Sequence, residues 1–276
     1  MRKYEEIGYM KTVLVTGPTG TFLSLDDVKE HLRVDHDASD GLIQSLIYAA
    51  TAQVENITNR KMVTQTWKAY ADEWPTAFFT LPYGNLQAVT SVSYTLEDGT
   101  VNTLDISRYI VDSTSDPGRL LLSLNQDWPT DTLYPSNPIE IEFTCGYGSH
   151  TIQNIEAVSN TSPIVITIED HGHSTADRII VSGVTGNTNA NGPWKITKIS
   201  DDTFSLNAST GNAEYVSGGT VVKIDVPEPI MIASMVLIGD MYAHRESRVI
   251  GPNFKYAEVP GYITSMIQSY RLFNRG

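Results

Sequence analysis

The hydrophobic period of this chain changes twice, and that limits its fold more than any single motif does. Between Leu25 and Ile57 apolar residues recur at helical spacing, with Leu42, Ile43, Leu46, Ile47, Ala50, Val54 and Ile57 on one face. From Met62 the pattern breaks into short alternating or apolar runs separated by turn signals. After Pro227-Glu228-Pro229 the helical period returns at Ile230, Ala233, Ser234, Leu237, Ile238, Met241 and Tyr242. Helices at both ends with strands between them make an α+β chain. The pattern predicts a small helical bundle, two N-terminal and two C-terminal helices, carrying an antiparallel β domain and an inserted all-β, barrel-like module.

Local signals place the elements. Ser24 is a good N-cap for a helix over Leu25–Arg33, with Asp27 at its third position. A polar turn follows, and Ser39 or Asp40 caps a second helix that ends near Thr58-Asn59-Arg60. Strands are expected at 64–70, 78–81, 89–96, 101–104, 109–112, 119–122 and 139–144, with hairpin or turn signals at Glu97-Asp98-Gly99 and Asp116-Pro117-Gly118. Residues 149–224, rich in Thr, Ser, Gly and Asn, read as a separate module with strands at 164–168, 179–181, 194–199, 203–206 and 220–224. The division is then 1–23 extended arm, 24–148 two helices and a β domain, 149–224 inserted module, and 225–276 the closing helices with a basic tail. In the third helix Met231, Ile232, Met235 and Val236 are apolar on the side away from the main stripe, so it must bury more than one side. A subunit interface and an intrachain core both satisfy that. The last helix carries Ile263, Met266, Ile267, Tyr270 and Leu272 on one face.

Charge narrows the functional classes. The net charge is −13, but residues 1–11 carry +1, 12–243 carry −17 and 244–276 carry +3. An acidic body repels duplex DNA, whose binding depends on Lys and Arg neutralising phosphates, while a basic end suits an acidic partner. Cys145 is the single cysteine, so no intrachain disulfide or Cys-rich zinc site is possible, and a reducing compartment is expected. Residues 1–8 are polar and charged, unlike a signal peptide, and the apolar run 229–239 is too short to span a bilayer. A soluble intracellular product with no membrane partner is expected.

Three stretches imitate chemistry. KTVLVTGPTGTFLSLDDV, residues 11–28, begins like a dinucleotide fold, but the third glycine is replaced by Leu23 and a second helix stands where a second parallel strand is needed. Asp35, Asp37 and Ser39 alternate as in a calcium loop, yet Asp40 and Leu46 stand where the loop's glycine and closing glutamate belong. His171 and His173, near Asp170 and Asp177, are the most metal-like cluster, though spacing fixes no third ligand. No G-x-S-x-G elbow occurs. The residues point to no enzyme, no cofactor and no metal.

The stretch LSLDDVKEHLRVDHDASDGLIQSLIYAATAQVENITNRKMVTQTW resembles the opening of the head–tail connector, or adaptor, proteins of long-tailed bacteriophages. The later elements LPYGNLQAVTSVSY, SDPGRLLLSLNQDWP, IEIEFTCGYG and VPEPIMIASMVLIGDMYAHRES follow that family's pattern in order. The resemblance covers residues 12–148 and 225–276.

It implies a virion structural protein made in the host cytoplasm and located in the neck. A homo-oligomeric ring, a dodecamer in the family pattern, joins the portal protein to stopper or tail proteins, and DNA passes through its lumen without specific binding. The family's C-terminal segment reaches the portal, which here assigns docking to Phe254, Tyr270, Arg271, Phe273 and Arg275. Subunit contacts are expected at Val13, Leu14 and Val15 of the arm and at Met231, Ile232, Met235 and Val236. A tail-completion or tail-accessory protein of the same fold is the alternative; a metal- or nucleotide-dependent enzyme is the competitor of another class. The insertion, with HGHSTADRIIVSGV, NGPWKITKISDDTFSL and SGGTV, resembles an accessory β module of phage structural proteins and is similar to the β half-domain of ubiquitin-activating enzymes, with no ubiquitin chemistry implied.

Overall fold

The computed structural model describes residues 10–244 and 261–272, with the side chains of 149–151 left aside. The chain is α+β and divides into two compact units.

Among the described residues, the first unit comprises 10–18, 59–146 and 272. It holds β1 (Lys11–Thr16), β2 (Gln65–Ala71), β3 (Phe78–Thr80), β4 (Leu86–Thr95), β5 (Val101–Thr103), β6 (Tyr109–Asp112), β7 (Arg119–Leu122) and β8 (Ile139–Cys145). A five-stranded antiparallel sheet runs β1-β2-β8-β4-β5, and a three-stranded one runs β3-β7-β6. The central strand β8 shows why the sheet forms. Its sequence IEIEFTC alternates strictly, so Ile139, Ile141, Phe143 and Cys145 are fully buried while Glu140 and Glu142 face outward. Lys68 on the neighbouring β2 meets Glu140 at 2.7 Å and Glu142 at 3.6 Å, a cross-strand charge pairing that supports the register. The core adds Phe79, Leu81, Val92, Tyr109 and Leu120.

Two polar features lock this unit's turns. Arg60 is almost fully buried; it donates through Nη1 to Asn85 Oδ1 (3.1 Å) and through Nη2 to Asp116 Oδ2. Gly146 in the Cys-Gly-Tyr-Gly stretch has φ +135°, and a Cβ there would stand 2.5 Å from the Val63 carbonyl oxygen. Only glycine fits that approach.

Among the described residues, the second unit comprises 19–58, 147–244 and 261–271. Its helices are α1 (Leu25–Leu32), α2 (Asp40–Thr58), α3 (Glu228–Ala243) and α4 (Gly261–Ile267); α3 packs against each of the other three. As the sequence predicts, Ser24 caps α1, its hydroxyl accepting from the Asp27 amide at 3.1 Å. α1 stops one residue earlier than expected because Arg33 takes a left-handed conformation, φ 57°, and its amide closes on Glu30. The strands are β9 (Gly148–Asn154), β10 (Ala157–Val158), β11 (Val165–Thr167), β12 (Arg178–Ser182), β13 (Gly192–Lys198), β14 (Thr203–Leu206) and β15 (Thr220–Ile224). They form one antiparallel series, β10-β11-β14-β13-β12-β15-β9. Ile164, Ile166, Ile179, Val181, Ile196, Phe204 and Leu206 fill its core.

The module is fastened to the helices by two contacts. Arg178 of β12 donates to Asp27 of α1 at 2.6 Å, both side chains being largely buried. Gly20, just before α1, lies so close to Ile180 that an added Cβ would meet its Cγ2 at 3.3 Å.

Candidate assembly surfaces

The segment expected as an extended arm is the edge strand β1. It pairs antiparallel with β2, Lys11 opposite Tyr70 and Leu14 opposite Trp67, with a bulge before Thr16. No strand lies on its other side among the described residues. Val13, Leu14 and Val15 are 44–47% exposed. Because alternate residues of a strand face opposite ways, both faces of β1 are uncovered. An exposed apolar edge of this kind is a template for another chain.

The four apolar residues singled out on α3 part company. Met231 is buried, Met235 and Val236 are half-buried, and Ile232 is 42% exposed. The all-round apolar character of α3 is answered largely within the chain by α1, α2 and α4. Of the C-terminal set, Tyr270 is half-buried and Arg271 exposed, in and just after the 3-10 turn Gln268–Tyr270. Phe254, Phe273 and Arg275 lie outside the described residues.

The three imitations of chemistry resolve into packing. β1 runs antiparallel to its neighbour, and Leu23, where a dinucleotide site needs a glycine, is completely buried. In the calcium-like turn Lys29 Nζ lies 2.7 Å from Asp37 and 2.8 Å from Asp40, so an ammonium sits where a cation would. These partners raise the Lys29 pKa and hold that of Asp37 below its usual range. His171 and His173 stack 5.4 Å apart, each edge-on to Phe204. His171 Nδ1 accepts from the His173 amide (2.9 Å), which leaves its Nε2 hydrogen for the Ser200 carbonyl (3.1 Å). Both nitrogens of His171 are thereby occupied. Burial chiefly, then the neighbouring His171, lowers the His173 pKa. Among the described residues no group of three His, Cys, Asp or Glu side chains is placed to hold a metal.

An open cleft of about 400 Å³ lies in the second unit, lined by Asp177, Arg178, Lys195, Lys223, Asp225 and Glu228 among others. Its charges are largely spent on each other: Arg178 on Asp27, and Lys223 on Asp177 (3.1 Å) and Asp225 (3.7 Å).

Comparison with known proteins shows what the scaffold is similar to. The sequence pattern of the phage gp6-like head-tail connector protein family matches residues 22–115, from the buried Phe22 through α1, α2 and β2–β6. The connector resemblance is borne out there.

Solved structures extend the likeness of fold over nearly the whole chain. A protein in the neck of an empty gene transfer agent (GTA) particle, computed with C6 symmetry, is 16% identical with a TM-score of 0.55. Chains in the virion of the native GTA particle and in its neck computed with C12 symmetry are also 16% identical, with TM-scores of 0.56 and 0.53. Each match covers 96% of this chain and 97% of the other. So high a coverage takes in most of residues 149–224, and the module falls within the shared fold. No curated protein sequence matches the chain.

Two strands of the structure have no counterpart in the sequence pattern. β9 and β10 were not anticipated: β9 is polar apart from an exposed Ile152, and β10 has only two residues.

Proposed function

We propose that this chain is a head-to-tail adaptor of a phage-like virion: copies form a ring in the neck, joining the portal to stopper or tail proteins. The observation that carries it is the connector segment at 22–115 within a fold shared, end to end, with proteins of a particle neck. Those necks were computed with sixfold and twelvefold symmetry, and a dodecameric ring is the reading they support for this chain.

The open apolar edge of β1 supports a subunit contact through Val13, Leu14 and Val15, with exposed Ile232 on α3 as a second point. The basic C-terminal end, containing Phe254, Tyr270, Arg271, Phe273 and Arg275, is assigned to the portal. A body carrying −17 over residues 12–243 favours a lumen along which DNA slides without sticking. The module at 149–224 is an accessory platform, of the kind its sequence resembles in phage structural proteins. Synthesis takes place in the host cytoplasm before assembly.

Imaging of virion necks tests this reading. A ring of this chain against the portal is the expected result. The same fold found only at the tail end would favour a tail-completion protein, and absence from the particle would contradict both.

A further inference from the structure

The first unit carries a second exposed apolar surface, on the outer face of the β3-β7-β6 sheet. Register places Phe78 opposite Leu121 and Leu121 opposite Ile110, so these three side chains form one cross-strand row. The adjacent row, Phe79, Leu120 and Val111, turns into the core instead, with Leu120 fully buried. Phe78 and Ile110 are exposed, Ile110 by 52%. Beyond them the Ser123 amide donates to the Arg108 carbonyl at 2.9 Å, which brings Leu124 beside the 3-10 turn Ile106–Arg108. Leu124 and Ile106 are 86% and 74% exposed. Apolar surface gathered in this way marks a contact site.

A ring requires two unlike surfaces on each copy, because its contacts are head-to-tail and not two-fold. Given the ring proposed above, we infer that the β1 strip of one copy seats on the outer face of the β3-β7-β6 sheet of the next. Charge matches the two sides. Lys11 stands exposed at the start of β1. The rim of the sheet face carries exposed Asp105 and Asp127 against Arg108, whose guanidinium donates to the Asp127 carbonyl; Arg119 is neutralised by Asp112 at 2.8 Å. Six residues of strand supply a strip about 20 Å long, which is smaller than a standard stable interface. The contact therefore adds to others in a ring and is too small to hold a free dimer.

Paired cysteines test it in the full-length chain. Leu14→Cys and Ile110→Cys are introduced together; Cys145 is fully buried and does not interfere. Oxidation of rings assembled on the portal should give a covalent ladder between neighbours. Leu14→Glu and Ile110→Glu, each at an exposed position, should lower ring occupancy at least ~tenfold with little change in melting temperature. Val216→Glu, on an exposed position of the module, should leave occupancy unchanged. Rings at wild-type occupancy from both Glu variants, or rings without any ladder, would overturn this contact while leaving the adaptor reading intact. No ring from the unmodified chain would overturn the adaptor reading, and this contact with it.

Discussion

His171 and His173 show how a pair of residues that looks like a ligand set can be a packing device. Stacked against Phe204 and buried to 2% and 6% exposure, they are held by the Ser200 carbonyl and by the amide of His173 itself. Asp177, Asp225 and Lys223 face His173, and burial outweighs the two carboxylates in lowering its pKa. The unfolded chain, with an ordinary histidine pKa of ~6.5, takes up the proton first. Stability contributed by neutral His173 is thus fully present above that value and is lost as pH falls toward the lowered native pKa. Melting curves between pH 7 and 5 should show the module weakening, and His173→Phe should flatten that slope; an unchanged slope would count against the assignment. Because Lys29 fills the calcium-like turn, neither calcium nor a chelator should shift the melting temperature. The identity of these residues was visible in the sequence. What they do was not, because the partners of His171, at Ser200 and Phe204, are some thirty positions away.

At the scale of elements, strong local signals carried across intact. The Ser24 cap, the Ile43–Val54 stripe and the alternation of β8 are decided within a few residues, and each appears where the sequence puts it. Ser24→Ala should cost about 1 kcal/mol in chemical unfolding. The arm at 11–16 was legible as extended but not as a member of a sheet, since its partner, β2, is more than fifty residues on. α3 was ambiguous for a related reason: its apolar belt is set by three helices, two of them distant in sequence. The fastening of the module to α1 was not legible at all. Arg178→Ala should leave Asp27 unpaired and cost about 1–3 kcal/mol, with the loss seen in the unit that holds α1 and the module. Removing buried Arg60, which ties Asn85 to the part-exposed Asp116, should cost about 1–3 kcal/mol, read as a fall in melting temperature.

For the whole molecule, the family match and the shared fold are two separate supports for the adaptor role proposed above. The family pattern covers residues 22–115, the shared fold nearly all of the chain, and neither depends on a catalytic residue. Apolar side chains are left exposed on β1 and on the face bearing Phe78 and Ile110. In the proposed ring they would be the subunit contacts. The most direct test is a cryo-electron microscopy reconstruction of the virion neck made without imposed symmetry. The expected result is a single ring of this chain, twelve copies in all, seated on the portal with its C-terminal segments turned toward it. A neck without this chain, or the chain present only at the distal end of the tail, would contradict it.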